Sequence, residues 1–515
     1  MSTKPTGHSE AVHYTHGEIM VVMGALMLVM LLAALDQTIV GTALPQIARE
    51  LHGLNELSWV ATSYLLTSAV VTPLYGKISD LLGRKKVFLF AIIVFLIGSI
   101  LCGAAQNMMQ LVIFRAIQGI GAGGLMALVF TIVGDVVSPR ERGKYMGYFG
   151  AVWGLSSVAG PLLGGFLTES LSWRWVFYVN IPLGALALYT VIQKLHLPIH
   201  KIEHKIDYLG ASLLSLSVVS LLLATVWGGG TYAWASAQII GLLTSAVVFA
   251  GLFVLAERKA QEPIIPLRLF KNDIFTVSSV LSILSGIAMF AAILYIPVYQ
   301  QLVLGYSPTK SGLMMLPMVA GMLIASIGSG RLISKYGHYK RYPVIGTLLL
   351  ATGLWMFSHL GLTTSPWLLG LWMFTIGAGL GLFMQVMTLA VQNSVTRRDM
   401  GAATATVTFF RSIGGSLGAA IFGAIMVSRL TVHLTELLPK GVGGSIPVSM
   451  EGIQSGAVNL HSLPPSVAHD IGLAFVNTFH DMFLIAVPFA LLAFVMALFL
   501  REAPLRTSHE PIISE

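Results

Sequence analysis

Fourteen apolar runs, each long enough to cross a hydrocarbon layer about 30 Å thick, constrain this chain more than anything else in it. They cover residues 20–43, 57–75, 87–106, 109–133, 145–167, 175–195, 207–227, 236–256, 275–303, 311–333, 343–362, 367–391, 401–428 and 481–500. A spanning helix needs roughly 20 mostly apolar residues, whereas barrel strands are short and alternate, so the runs read as helices. Within lipid a helix is also the segment that pairs all of its own backbone groups. Composition agrees: 55% of the 515 residues are hydrophobic and only 10% are charged. A typical soluble domain is about a quarter charged. An ordinary soluble enzyme and a disordered chain are therefore excluded. The net charge of +8 comes without a basic tract, which excludes a nucleic-acid binder. One cysteine, Cys102, excludes a disulfide scaffold and a cysteine-rich metal site. The expected fold class is an all-α integral membrane protein with 14 transmembrane helices.

Positive charge orients such a bundle, because Lys and Arg collect in cytoplasmic segments. With a cytoplasmic N-terminus, 23 of the 30 Lys and Arg fall in inner segments, five in outer segments and two, Arg115 and Arg411, inside helices. The split supports the span count and places both termini in the cytoplasm. Residues 1–18 are polar and carry no cleavable signal pattern, so the first run is expected to be a retained helix.

The chain contains an internal repeat. Gly76-Lys77-Ile78-Ser79-Asp80-Leu81-Leu82-Gly83-Arg84-Lys85-Lys86 matches Gly330–Lys340 in glycine spacing and basic ends, at an offset of 254. Ser138, Arg140, Glu141 and Gly143 match Thr396, Arg398, Asp399 and Gly401 at an offset of 258, which also puts Gly160 on Gly418. The expected organisation is an N-terminal segment 1–19, a six-helix half 20–195, two inserted helices 207–256, a second six-helix half 275–500 with a long outer loop 429–480, and a tail 501–515. Parallel six-helix repeats are a transporter architecture, with the substrate site near the midplane between halves. Asp80 becomes Ser334 and Asp36 becomes Phe290 in the second copy, so the first half reads as the coupling half.

Charge inside a membrane is costly and marks function by default. Of the 22 Asp and Glu, Asp36 alone lies well inside a span, about 12 Å below Leu44-Pro45 at 1.5 Å per residue. Arg115 lies about 9 Å below Met109, at similar depth, so the two can pair. Burial raises a carboxyl pKa and a nearby cation lowers it, which suits an acid that loads and releases protons. The bland alternative is a static pair pinning two helices. Arg411 is open between lining a central cavity and satisfying backbone carbonyls. Asp135, Glu18 and Asp481 stand at helix ends, where solvated charge is expected. Glycine clusters at Gly119–Gly124, Gly160–Gly165 and Gly414–Gly418 suit close helix approach, and Pro161 suits a bending point.

These residues also carry a resemblance. Gly76–Lys86 resembles motif A of the major facilitator superfamily, Arg115-Ala116-Ile117-Gln118-Gly119 resembles motif B, and Gly154 with Ala159–Gly165 resembles the antiporter motif C. Leu35–Pro45, Trp173–Pro182, Pro297–Gln301 and Phe410–Gly415 are similar to the fourteen-helix drug:proton antiporters of the EmrB/QacA type. The resemblance implies the major facilitator fold, proton coupling through Asp36 and Arg115, and a conformational switch through Gly76, Asp80, Arg84 and Asp135. It implies an antiporter role for Gly154, Gly160, Pro161, Gly164 and Gly165. No further membrane acids accompany Asp36, so multivalent cations are not expected as cargo, and no metal site or cofactor is expected beyond the proton gradient.

Aromatic and flexible apolar side chains suit bulky lipophilic cargo. The cavity candidates are Gln37, Trp59, Tyr64 and Trp153 in the first half, and Tyr295, Tyr299, Gln300, Met384, Gln385 and Arg411 in the second, with Met314 and Met315 alongside. For each of them core packing is the commoner role. The expected function is proton-driven export of lipophilic, cationic compounds across the cell membrane, with proton and substrate competing at or near Asp36. The alternatives are a same-fold exporter of a lipid or metabolite, or a proton symporter. An intramembrane enzyme would need a cluster such as paired aspartates or His-Glu-x-x-His within spans, and none is present. The expected partners are a lipophilic small molecule, protons and the bilayer; an accessory periplasmic adaptor is an open addition.

Overall fold

The computed structural model describes residues 16–51, 56–195, 207–229, 231–437 and 465–505. The expected terminal segments up to residue 15 and beyond 505, and the middle of the outer loop (438–464), lie outside the described residues. The architecture is helical throughout the described residues, apart from two short 3-10 turns and one isolated bridge. In the first part of the chain come α1 (His16–Glu50), α2 (Leu57–Leu82), α3 (Arg84–Ala104), α4 (Met108–Val136), α5 (Pro139–Ser170), α6 (Trp175–Tyr178) and α7 (Asn180–Lys194). Then come α8 (Tyr208–Trp227) and α9 (Ala237–Glu257). The last part holds α10 (Asp273–Leu302), α11 (Pro308–Met314), α12 (Leu316–Tyr336), α13 (Arg341–Phe357), α14 (Pro366–Ser394), α15 (Met400–Leu437) and α16 (Pro465–Leu498).

Local chemistry explains the breaks. Gly83 adopts φ 93, a left-handed backbone that lets α2 stop and α3 start one residue later. The run 175–195 is divided after Tyr178, because Pro182 has no N–H and its ring crowds the carbonyl four residues earlier. Pro317 divides the run 311–333 at Met315 in the same way. Asn272 caps α10 by accepting from the Ile274 N–H at 3.0 Å.

Helix pairing repeats along the chain. α1 packs on α5 as α10 packs on α15; α2 packs on α4 as α12 packs on α14; α3 and α13 pack on those same fourth helices, α4 and α14. Each set has its own large apolar core, one around Leu26, Phe95 and Phe130, the other around Ile296, Phe357 and Phe483. α8 and α9 pair with each other, and α8 lies on both α2 and α15. The apolar seam there is made by Ala69, Val218, Leu222, Phe253 and Phe409. Large side chains such as Phe90, Ile97, Val247 and Ile324 remain on the outside, as a lipid-facing surface requires.

Among the described residues, twelve helices are long and apolar enough to cross a membrane. The two other expected spans, α2 and α13, are helical but outside that set. α13 has only 17 residues, and α2 carries Thr62, Ser63, Thr67, Ser68 and Thr72. The expected last span, 481–500, begins 16 residues earlier as α16, at Pro465. The expected outer loop is correspondingly shorter: 429–437 belongs to α15 and 465–480 to α16. Asp481, expected to be solvated at a helix start, instead lies within α16 and accepts from His433 Nε2 at 3.0 Å.

Candidate functional site

Asp36 and Arg115 meet in the core of the first helix set. Asp36 Oδ2 accepts from Arg115 Nη1 at 2.7 Å, while Oδ1 accepts from Gln118 Nε2 at 2.8 Å and Asn180 Nδ2 at 2.9 Å. Ser99 Oγ on α3 receives both amides as well, at 3.0 and 2.9 Å. Arg115 Nη1 also donates to Gln118 Oε1 at 2.7 Å, and its guanidinium lies 4.1 Å from the Tyr64 ring centre. Sequence spacing builds the cluster: Gln118 lies three residues after Arg115, hence on the same face of α4. Asn180 is delivered by the break that Pro182 imposes between α6 and α7. Asp36 is fully buried and Arg115 is 2% exposed. Two such charges persist out of water only when the geometry is good and further hydrogen bonds answer them, as the amides of Gln118 and Asn180 do here. Gln118, Asn180 and Ser99 were not among the expected site residues, although Gln118 and Asn180 lie inside the family-like stretches Arg115–Gly119 and Trp173–Pro182.

A second cluster closes the end of the bundle where α2 and α4 finish and α5 and α15 begin. This is the basic end. Arg84 Nε donates to Asp135 Oδ2 at 2.8 Å, and Arg84 Nη1 forms an ion pair with Asp80 Oδ1. Asp80 Oδ2 accepts from the Ala402 backbone N–H at 3.0 Å, in the first turn of α15, where free N–H groups and the helix dipole favour an anion. Gly76 allows this approach, since an added Cβ would lie 2.7 Å from the Gly401 carbonyl oxygen. Asp80 lies beyond the apolar run of α2, and burial pushes its carboxyl from the ordinary 3.8 up to about 6 despite the opposing Arg84 and Ala402 contacts. Asp135 is thus a bonded partner here, not a solvated charge at a helix end.

The basic end holds one further clamp. Glu262, in the linker after α9, accepts from Lys77 Nζ of α2 and from Arg398 Nη2 just before α15, both at 2.6 Å. One carboxylate therefore ties the two helix sets together at their seam. Glu262 was not among the expected site residues, since an acid in a polar linker carries no signal of a partner on distant helices. Nearby, Arg140 donates to the Ser334 and Lys335 carbonyls at 3.2 Å each, joining α5 to α12.

The glycines of α5 serve two neighbours, Gly160 and Gly164 facing α1 and Gly143, Gly147, Gly150 and Gly154 facing α12. A Cβ at Gly160 would strike Thr38 Oγ1, and one at Gly164 would strike Thr42 Oγ1. Thr38 Oγ1 donates to the Ser156 carbonyl at 2.9 Å across the same contact. Gly154 faces α12, where a Cβ would lie 3.1 Å from Val319 Cγ1. Gly165 has no neighbour within 4 Å of an added Cβ, so close packing does not require it. α5 runs unbroken through Pro161, which lies near Gly312.

Between the helix sets lies a cavity of about 320 Å³. Its wall comes from α1, α2, α4, α5, α8, α10, α14 and α15. Of the expected cavity residues, Gln37, Trp153, Met384 and Arg411 line it. The others are engaged elsewhere. Trp59 meets Trp227 edge-on at 5.8 Å, and Tyr64 lies under Arg115. Tyr295 bonds the Ala419 carbonyl at 3.4 Å, Tyr299 the Gly361 carbonyl at 2.6 Å, and Gln300 accepts from Ser311 at 2.7 Å. Gln385 is buried, and Met314 and Met315 are not on this wall. An apolar helix surrounded by other helices gives no periodicity signal for which face meets a cavity, so these assignments were out of reach. The inserted helix α8 contributes Leu222, Thr225 and Val226, a role its sequence did not announce. Asp36 bonds to Arg115 and Gln118 of α4 and to Asn180 of α7, and it is not among the residues that line this cavity.

Comparison with known proteins follows the same lines. The family model described as Major Facilitator Superfamily matches residues 26–419. An uncharacterised transporter from Mycobacterium tuberculosis (strain CDC 1551 / Oshkosh) is 44% identical over 490 residues, covering 95% of this chain and 70% of that protein. Multidrug resistance protein 3 of Bacillus subtilis (strain 168) is 39% identical, covering 95% of this chain and 96% of its own. Among solved structures, a proton:xylose symporter superposes with a TM-score of 0.60 at 16% identity, covering 96% of this chain and 98% of that one, a likeness of fold. With relatives named as multidrug transporters and efflux pumps, and with this helical fold, the chain belongs to the Major Facilitator Superfamily, a family of membrane transporters.

Proposed function

We propose that this protein exports lipophilic small molecules from the cytoplasm in exchange for protons, by alternating access between two six-helix halves. The observation that carries the reading is the sealed Asp36–Arg115 pair, one residue away from a cavity-lining side chain, Gln37. Protonation of Asp36 removes the charge that holds Arg115, Gln118 and Asn180 together. α1 is then free to shift against α4 and α7, and the shift reaches the cavity through Gln37. Proton and cargo are coupled through the helix rather than by sharing one carboxylate. The relatives named for multidrug transport support a lipophilic cargo.

In this reading α2 and α13 also cross the membrane, α6 with α7 and α11 with α12 each count as one span, and the total is fourteen. The basic end faces the cytoplasm of the cell membrane, as its Lys and Arg suggest. Asp80, Arg84, Asp135 and Gly76 then form a latch that is closed on the cytoplasmic side and opens when the halves rock. The energy source in this scheme is the proton gradient.

The test is transport in proteoliposomes with an imposed pH gradient. A more acidic outer side should drive a lipophilic probe outward, and Asp36→Asn should abolish that drive while leaving binding intact. Inward accumulation under the same gradient would indicate symport, and unchanged coupling in Asp36→Asn would remove Asp36 from the scheme.

A further inference from the structure

The cavity wall carries one ionisable side chain, Arg411. Its environment is unlike that of the other charges described above. Asp36 and Arg115 hold each other, and Asp80, Arg84 and Asp135 form one chain of ion pairs. The Arg411 side chain makes no hydrogen bond, ion pair or ring contact with any described residue. The hydroxyls nearest in sequence do not answer it, because Thr408 bonds the Thr404 carbonyl, Ser412 the Thr408 carbonyl and Ser416 the Ser412 carbonyl, all along α15 itself. Gln37, on the α1 side of the same cavity, is likewise without a side-chain partner among the described residues.

A guanidinium stays protonated in proteins and presents a planar fork of donors that matches carboxylate, sulfonate and phosphate oxygens. Held at an apolar wall without a partner, it bears a desolvation cost that an incoming anion offsets. The rest of the wall supplies an apolar body site: Met126, Trp153, Met289, Phe290 and Met384 surround the space. At the repeat offset of 258, Arg411 occupies the position that Trp153 holds in the first half, and both face the cavity. One half thus offers an aromatic plate and the other a cation. A volume of about 320 Å³ suits a small drug-sized molecule.

We infer that the cavity selects amphipathic anions: an acidic head group is held by the Arg411 fork, assisted by the Gln37 amide, and an apolar body lies against the Met and aromatic wall. The inference rests on the reading of this cavity as the cargo site, and it reverses the charge preference expected from Asp36. It does not depend on proton coupling.

The probes are three molecules with one body: naphthylbutyrate, naphthylbutyramide and naphthylbutylammonium. Binding to the full-length protein in nonionic detergent is measured by titration calorimetry without any gradient. The carboxylate should bind tightest. Arg411→Gln should weaken it about 10- to 100-fold, the range of a lost charge-assisted hydrogen bond, and leave the amide within about twofold. Arg411→Lys should restore part of the loss, since charge survives but the fork does not. Should Arg411→Gln fail to fold, the wild type still decides: the carboxylate should raise Tm more than the ammonium at equal concentration. Phosphatidylglycerol added to the micelles should not displace naphthylbutyrate, which assigns the head-group site to a soluble amphiphile; displacement by it, and not by phosphatidylcholine, would assign the same anion chemistry to a lipid. Equal binding of ammonium and carboxylate, or an unchanged carboxylate affinity in Arg411→Gln, overturns the inference. Gradient-driven export of the ammonium probe alone would leave the proposed function standing and sink the anion site. Carboxylate binding without gradient-driven transport would do the reverse.

Discussion

The two helix sets pair their helices in the same pattern but place charge in opposite ways. The first set buries an acid and a base inside its own core, each answered by its neighbours. The second has Phe290 at the position matching Asp36, and its intramembrane charge, Arg411, stands at the cavity without a partner among the described residues. A charge that is answered internally can store or release a proton without touching cargo. One that is unanswered at a wall is available to whatever enters. A duplicated fold can thus divide its labour by moving charge from the core of one copy to the cavity face of the other.

The comparison breaks most sharply at Asp36. Asp36→Asn should reduce gradient-driven transport to background in proteoliposomes, and Arg115→Gln should cost about 3–5 kcal/mol by leaving a buried carboxylate unpaired, read as a large fall in Tm. If Arg411→Gln lowered Tm as much as Arg115→Gln does, the distinction between an answered and an unanswered charge would collapse. A packing contrast comes next. Gly160→Ala, which drives a methyl into Thr38, should destabilise by about 1–3 kcal/mol, typical of overpacking, whereas Gly165→Ala should stay within about 0.5 kcal/mol.

The seam between the sets gives the next test. Glu262→Gln keeps the shape but removes the charge shared by Lys77 and Arg398. The basic end should then open more often, measured as a several-fold faster reaction of a cysteine placed at the cavity residue Thr72 with a reagent applied from that end. No acceleration would mean that the other contacts at the basic end hold the closure alone.

The smallest effect concerns pH. Asp80 binds its proton more tightly in the closed arrangement, with a value of about 6 against an ordinary 3.8. A raised carboxyl pKa means that the closed state gains relative to an open, solvated one as pH falls through about 6, and that this gain is complete below about 3.8. A thiol loses thiolate on acidification whatever its surroundings, so the same cysteine at Thr72 is followed with and without Asp80→Asn: from about pH 7 to about pH 5 the chain that keeps Asp80 should slow more than the Asp80→Asn chain.

Much of this was legible in the sequence. The pairing of Asp36 with Arg115 followed from depth alone, since two charges at one level in lipid have few alternatives to each other. The switch cluster of Gly76, Asp80, Arg84 and Asp135 came from the motif A resemblance, and the dipole of a helix N-terminus supplies the physical reason that Asp80 meets the start of α15. Other parts were not legible. Trp59 is the same residue type as Trp153, and Gln300 the same as Gln37, so composition does not say which of them meets a cavity. Glu262 lies in a loop whose reach across the seam depends on where α9 and α10 dock. Nor did the sequence show that α8 would pack against α2 and α15 and contribute Thr225 to the wall.

What the sequence determined by itself was the solvent and the plan. A chain with 55% hydrophobic residues in long runs must satisfy its backbone as helices in lipid, and its repeat fixes how those helices pair. Tertiary structure alone decided which side of each helix is answered by protein and which is left to the cavity. In lipid nearly every face of a helix is apolar, so the direction of a side chain is set by neighbouring helices and not by hydrophobic periodicity. That is why Asp36 could be found by its charge, while the lack of a partner for Arg411 became visible only in three dimensions.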